Sequence, residues 1–331
     1  MNGVGFCVVG LGMGRSRAKL VTETPGARLV SVVDLDQDRA RDTGETLGCR
    51  WTTSLAEALQ DDSVDVVMVM TPSGLHLPIA IEALQAGRHV ITTKPMEVTL
   101  DRCDQMLEAA QKAGKLLAVD FQERFSDTPQ KIKHALVHGL FGTPILGEAR
   151  LKWYRSQEYY DQGGWRGTWK MDGGGALANQ TIHNIDLLVW FMGPARKVTG
   201  CTSCVTHTIE TEDLGMAMIQ FASGAQGTIL GTTTFPTSAY WTMEVHGSEG
   251  GVLADLSKDP KWIFLEGLEH RDQQLQRLSP HRNSVEDMVS AIRNGTALLC
   301  DGREGRMSIE LLDAVYRSAR AGGHPVEVGD A

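Results

Sequence analysis

No run of apolar residues in this 331-residue chain is long enough to span a bilayer, and no basic, apolar leader opens it. Positive charge is in deficit: 32 Lys and Arg against 41 Asp and Glu leave a formal charge of −9, which sets aside nucleic acid and anionic membrane as partners. Cysteine is sparse at six, and Cys7, Cys49, Cys103 and Cys300 stand isolated, as buried small hydrophobes do. The one close pair, Cys201 and Cys204, has no second pair and falls in a strand-like segment where residues three apart face opposite sides. Neither a metal site nor a disulfide framework is therefore expected. Internal repeats and low-complexity stretches are also missing. What remains is 42% hydrophobic residues over a length that suits two domains, the profile of a soluble metabolic enzyme with the cytoplasm as default location.

The start of the chain carries a nucleotide-binding pattern. Gly5-Phe6-Cys7-Val8-Val9 reads as a buried strand and Gly10-Leu11-Gly12-Met13-Gly14 as the turn after it; residues 15–22 open a helix, and 29–33 form a second strand ending at Asp34. The glycines let the backbone approach a pyrophosphate, and the helix start supplies unpaired N–H groups. Asp34 suits the ribose hydroxyls. The usual spacing asks for a third small residue at position 15, which is Arg15 here, with Gly14 one place early. Either the turn is one residue tighter, or Arg15 takes that place and faces the phosphates. Asp34 and Asp36 put carboxylates where a 2′-phosphate would need a cation, so NAD is favoured over NADP. Arg39 and Arg41 read as solvated on the next helix.

Helical segments at 54–60, 77–85 and 100–112 alternate with strands at 64–70, 89–92 and 116–119. This rhythm gives a doubly wound α/β domain over residues 1–122, a parallel sheet with helices on both faces. Thr71 and Pro72 follow one strand at the edge where such sheets bind ligands. His76, just beyond, either touches the cofactor or only satisfies local backbone. Lys94 ends a β-branched run, and Pro95 after it disfavours helical backbone there, so its ammonium group stands at the same edge.

Residues 123–331 form a second, α+β domain, expected to hold strands at 147–154, 197–206, 214–221, 225–234 and 240–247 and closing helices at 284–294 and 308–320. The strands read as a large open, mainly antiparallel sheet, whose outer face suits a second copy in a dimer or tetramer. Gly173-Gly174-Gly175 precedes a helix carrying Asn179, His183 and Asp186, spaced four and then three, along one helical face. Just upstream, Trp153, Tyr154, Arg155, Tyr159, Tyr160, Trp165 and Arg166 gather much of the aromatic content. They suit a polyhydroxylated ring or a tightly packed junction equally. Arg155, Tyr160, Trp165 and Arg166 are the substrate-binding candidates, and a carboxylate or phosphate on the substrate would need one of the arginines.

Together the glycine turn, Thr71-Pro72, Thr93-Lys94-Pro95 and the run from Gly173 through His183 and Asp186 resemble the glucose–fructose oxidoreductase, inositol dehydrogenase and MocA family. The likeness covers nearly the whole chain. It implies an N-terminal Rossmann domain, a C-terminal domain with an open sheet, and NAD(P)-linked oxidation or reduction of a sugar, cyclitol or sugar derivative. It also implies that Lys94 and His183 are catalytic. Two positions depart from the pattern: Thr93 stands where the family has glutamate, and Asn179 where aspartate is frequent. Asn179 can hydrogen-bond but cannot offset a charge on His183. The expected chemistry has the carbon of a secondary hydroxyl passing a hydride to NAD while His183 takes the hydroxyl proton. Lys94 stabilises the developing alkoxide, and Asn179 and Asp186 orient substrate and imidazole. Two other classes remain open: an enzyme that recycles bound NAD, with net glycoside cleavage or epimerisation, and a non-catalytic NAD-binding regulator.

Overall fold

The computed structural model describes residues 3–236, 240–255 and 258–329. The chain divides into two compact units, Met1–Gln122 with His281–Arg306, and Glu123–Pro280 with Met307–Ala331.

The first unit is built on a parallel sheet of strands β1 (Val4–Val9), β2 (Ala27–Val33), β3 (Arg50–Thr52), β4 (Val66–Val69), β5 (His89–Thr93) and β6 (Leu117–Asp120), in the order β3-β2-β1-β4-β5-β6. Every residue of β1 and β4 is buried, as continuous apolar runs are when helices cover both faces of a sheet. The helices are α1 (Gly14–Glu23), α2 (Gln37–Leu47), α3 (Leu55–Ala58), α4 (His76–Gln85) and α5 (Leu100–Ala113). Side chains set their starts: Asp36, Ser54 and Thr99 accept from the backbone N–H three residues on. Strand order reverses between β1 and β4, which opens a crevice at their carboxyl ends. Strand β3 was not expected, because three residues are too few to show alternation.

Residues 281–306 return to this unit, which the linear division at residue 122 does not contain. The helix Ser284–Asn294 starts where Asn283 accepts from Val285 and Glu286, and its Val285, Met288 and Val289 join the core of Phe6, Val8, Val32, Met68 and Ile91. Ser284 Oγ also donates to Asp120 at the end of β6, at 2.8 Å.

The second unit contains β7 (Pro144–Lys152), β8 (Ala195–Ser203), β9 (Leu214–Phe221), β10 (Gln226–Thr232), β11 (Tyr240–Gly247), β12 (Gly250–Asp255), β13 (Lys261–Phe264) and β14 (Val326–Glu327). They form one sheet in the order β13-β12-β11-β7-β10-β9-β8-β14, antiparallel except where β7 runs alongside β10. Strands β12, β13 and β14 widen the sheet beyond the expected five. Along β9, Gly215, Ala217, Ile219 and Phe221 are buried, whereas Met216 and Met218 on the other face are 45% and 63% exposed.

The helices of this unit include α6 (Asp127–Val137), α7 (Gln157–Asp161) and α8 (Ile182–Met192), and α8 is buried along nearly its whole length against the inner face of the sheet. Glycines make that approach feasible: a Cβ on Gly147 would stand 2.7 Å from Leu188 Cδ1, and one on Gly231 would stand 2.1 Å from Thr181 Oγ1. The turn before α8, Ala176–Thr181, is π-helical, and Thr181 Oγ1 donates to the Ala176 carbonyl five residues back at 2.8 Å. The single helical stripe expected for Asn179, His183 and Asp186 is therefore broken, since the phase of the helix changes between the first residue and the other two.

Candidate active site

In the first unit the chain leaves β1 at Gly10, whose φ of 88° is in the region open to glycine, and a Cβ there would meet Met70 and Thr71 at 2.9 Å. Gly12 has nothing within 4 Å of its Cβ position, so its backbone is open to a ligand. A Cβ on Gly14 would come 2.8 Å from Met70 Cβ. Gly14 is thus the glycine of close helix–strand contact, the turn is one residue tighter than usual, and Arg15 is left exposed. Helix α1 has no side-chain cap, which leaves its first-turn N–H groups for an anion. Leu11 is buried and Met13 exposed.

Asp34 ends β2 and accepts from Leu11 N at 2.6 Å and from Asp36 N at 2.9 Å, so it ties the glycine turn to the second strand. Arg39 reaches Asp34 at 3.2 Å and Asp36 at 3.1 Å. The expectation that Arg39 is merely solvated is corrected: it bridges the two carboxylates. Thr71 Oγ1 is buried without a hydrogen-bond partner among the described residues, close to Gly10. An open glycine turn, an uncapped helix start, a waiting hydroxyl and a carboxylate at the second strand's end fit a dinucleotide.

His76 does not reach outward to a cofactor. Its ring is fully buried, with Nε2 2.9 Å from the Thr71 carbonyl and Nδ1 3.1 Å from that of Met96. Burial holds its pKa below the usual range, and a neutral ring has one N–H, so it donates to one of these two carbonyls and only packs against the other, between the Thr71 loop and the loop after Lys94. Lys94 follows β5, is partly buried, and precedes Pro95 through a cis peptide bond. The carboxylate missing at Thr93 is not supplied by Glu97, which is committed to Leu77 N at 3.0 Å, Val98 N at 2.6 Å and Arg102 at 2.7 Å.

In the second unit His183 is partly buried in the first turn of α8. Asp186, expected to orient substrate and imidazole, is instead buried in a two-pronged pair with Arg124, both contacts at 2.8 Å, and accepts from Ser308 at 3.2 Å. That geometry anchors α8 and withdraws Asp186 from the substrate. Asn179 donates to Asp172 Oδ1 at 2.6 Å, and Asp172 Oδ2 accepts from Gly167 N at 2.9 Å. Asp172 went unnoticed in the sequence, although it directly precedes the glycine run.

Glu212 was also missed. It accepts from Gly175 N and Leu177 N at 3.1 and 2.8 Å and from Tyr316 OH at 2.9 Å, capping the turn that leads to His183. Burial pushes its carboxyl up to about 7.

The aromatic segment sorts into interior and open parts. Tyr160, a substrate-binding candidate, is buried with its hydroxyl 2.8 Å from Thr233 Oγ1, and its pKa is raised by burial; it supports the site without facing a substrate. Its neighbour Tyr159 is partly buried and accepts from Gln180 Nε2 at 2.9 Å. Gln180 Oε1 accepts from Arg155 at 3.0 Å, and Gln180 Nε2 is 3.3 Å from Asn179 Oδ1. The guanidinium of Arg166 lies 4.6 Å from the Tyr159 ring centre and 4.8 Å from that of Trp165. Asn179, Arg155, Trp165 and Arg166 are therefore linked through Gln180 and Tyr159.

A Rossmann unit with a dinucleotide turn, together with an open-sheet unit carrying a histidine helix, defines a two-domain nicotinamide-dependent oxidoreductase. Residues 4–121 match the oxidoreductase family, NAD-binding Rossmann fold, and residues 130–253 match the GFO/IDH/MocA C-terminal domain. The chain belongs to the GFO/IDH/MocA family of oxidoreductases, and NAD is its cofactor. It is similar to the WlbA dehydrogenase from Bordetella pertussis in complex with NADH and UDP-GlcNAcA, at 33% identity over 100% of this chain and 99% of that one, with a TM-score of 0.92. The WlbA dehydrogenase from Chromobacterium violaceum, in complex with the same two molecules, is 34% identical over 100% and 97%, with a TM-score of 0.91. The scyllo-inositol 2-dehydrogenase (NAD(+)) from Bacillus subtilis is 26% identical over 97% of this chain and 95% of its own.

Proposed function

We propose that this oxidoreductase acts on a secondary hydroxyl of a sugar, cyclitol or sugar derivative, with Lys94 and His183 as its catalytic residues. NAD, when bound, supplies the hydride acceptor. His183 takes the hydroxyl proton, and the Lys94 ammonium group holds the substrate oxygen and stabilises the alkoxide as it develops. Asn179 orients the substrate, and residues 10–15, Asp34, Thr71 and Pro72 hold the dinucleotide. The observation that carries this assignment is the fixing of the chain on both sides of His183: Glu212 caps the turn before the helix, and Arg124 grips Asp186 one turn beyond His183. A general base must be held in place, and that is what these contacts do. The sugar-derivative and cyclitol names of the relatives support the substrate class.

The test is a panel of sugars, inositols and nucleotide sugars read by NADH absorbance with wild type, Lys94→Met and His183→Asn. Turnover on one class is expected, with kcat lowered about 10²-fold or more in each variant and NAD binding retained. Undiminished turnover in Lys94→Met would overturn the assignment. We also infer a homo-oligomer that pairs through the outer sheet face bearing Met216 and Met218, to be checked by light scattering. A cytoplasmic location suits the exposed, free Cys201 and Cys204, because thiols stay reduced there.

A further inference from the structure

Two guanidinium groups converge on one aromatic ring in the second unit. Arg155 Cζ lies 4.7 Å from the Tyr159 centroid and 5.0 Å from that of Trp153, and Arg166 Cζ lies 4.6 Å from the same Tyr159 centroid. Neither cation has a carboxylate within ion-pair distance among the described residues. Arg155 donates to the amide oxygen of Gln180 at 3.0 Å and Arg166 to the backbone carbonyl of Gln162 at 3.0 Å, both neutral acceptors. The Nε of each is buried with no hydrogen-bond partner among the described residues. Other shielded arginines of this chain are matched: Arg102 has Glu97, and Arg124 has Asp186. Two partly desolvated like charges without a counter-ion are costly, and an anion that accepts from both relieves the cost.

We propose that Arg155, Tyr159 and Arg166 form a subsite for an anionic substituent of the substrate, a carboxylate or a phosphate. Arginine forks match the paired oxygens of both groups, and donors on each guanidinium remain unused. The subsite is built. His207 Nε2 holds the Arg155 carbonyl at 2.8 Å, and Asp213 holds His207 Nδ1 at 2.9 Å. Gln180 joins Arg155 to Asn179, which places the anion and the reacting hydroxyl on one molecule. This inference rests on the dehydrogenase assignment above, and its substrates are acidic sugars or phosphorylated sugars, in preference to neutral cyclitols.

The experiment is isothermal titration of the NAD-saturated protein with D-glucose, D-glucuronate, D-glucose 1-phosphate and UDP-D-glucose, at low and high salt, using wild type, Arg155→Gln and Arg166→Gln. NADH formation is followed in the same samples. At least one anion should bind about 10-fold or more tighter than D-glucose, with the gap narrowed by salt and lost in both variants. A preference for glucuronate assigns a carboxylate, and one for the phosphorylated sugars assigns a phosphate. Arg155→Lys and Arg166→Lys, which keep the cation but lose the fork, should fall between, and unchanged NAD affinity shows that the variants are folded. Equal binding of glucose and all three anions, no binding of any anion, or a preference that survives both substitutions overturns the subsite. Arginine-dependent binding without NADH upholds the subsite and shows that the bound sugar is not oxidised through the proposed Lys94 and His183 chemistry. NADH formed from a neutral sugar, unchanged in the variants, does the reverse.

Discussion

Asn179 donates its side-chain amide to Asp172 across 2.6 Å, and a carboxylate can only accept, so the direction of the amide is fixed. The Asn179 oxygen is thereby the end presented toward Gln180. The negative charge that position 179 lacks stands one hydrogen bond away, at Asp172.

Replacing Asp172 with Asn removes the reason for that orientation. We expect kcat/KM to fall about 10-fold, the cost of roughly one misdirected hydrogen bond of about 1.4 kcal/mol. The exchanged pair, Asp172→Asn with Asn179→Asp, restores a donor facing a carboxylate. It should recover most of the loss in steady-state kinetics; a purely structural role for Asp172 would not be rescued.

Cofactor choice should depend on the bridge that Arg39 makes between Asp34 and Asp36. Asp34→Ser removes the carboxylate nearest the turn and frees Arg39 from it, so relative efficiency with NADP over NAD should rise about 10-fold or more. Adding Arg39→Ala should abolish the gain. Kinetics with both cofactors decide this.

Stability should depend on pH through Glu212. Its carboxyl titrates near 7 in the folded chain and near 4.5 when unfolded. The folded state therefore binds the proton more tightly, and the contribution is fully present below about 4.5 and lost as pH rises through 7. The loss amounts to roughly 3 kcal/mol at most. Melting temperatures at pH 5.5 and 8.5 should differ more in wild type than in Glu212→Gln, which keeps the acceptor oxygen without the ionisation.

A methyl group at Gly175 would stand 1.9 Å from the Glu212 carbonyl oxygen. Gly175→Ala should cost about 1–3 kcal/mol in denaturant unfolding, the range for overpacking, and should weaken turnover along with it.

Much of the fold was legible in sequence because it rests on short-range periodicity. The all-buried run of β1, the glycine turn and the alternation along β9 each announce themselves within ten residues. The π turn does not, because a bond five residues back leaves no recurring spacing of side chains. Tyr159 and Tyr160 are adjacent and chemically alike, and only the sheet beneath them decides which is buried. Asp186 lies on the expected helix, but its partner Arg124 is 62 residues away, so its removal from the substrate could not be seen from local pattern. The helix Ser284–Asn294 was readable as amphipathic, though not the sheet it would cover.

The row from Arg155 through Gln180 and Asn179 to Asp172 has a polarity. Arg155 donates to Gln180, which donates to Asn179, which donates to Asp172. Each amide is locked by its neighbours, and no member can be reversed alone. Changes along this row should therefore occur in relatives as compensated sets: an acid at position 179 would call for a donor at 172, and loss of Arg155 would release Gln180 to turn over. Such paired substitutions, read from sequences alone, would separate acidic-sugar enzymes from those handling neutral rings.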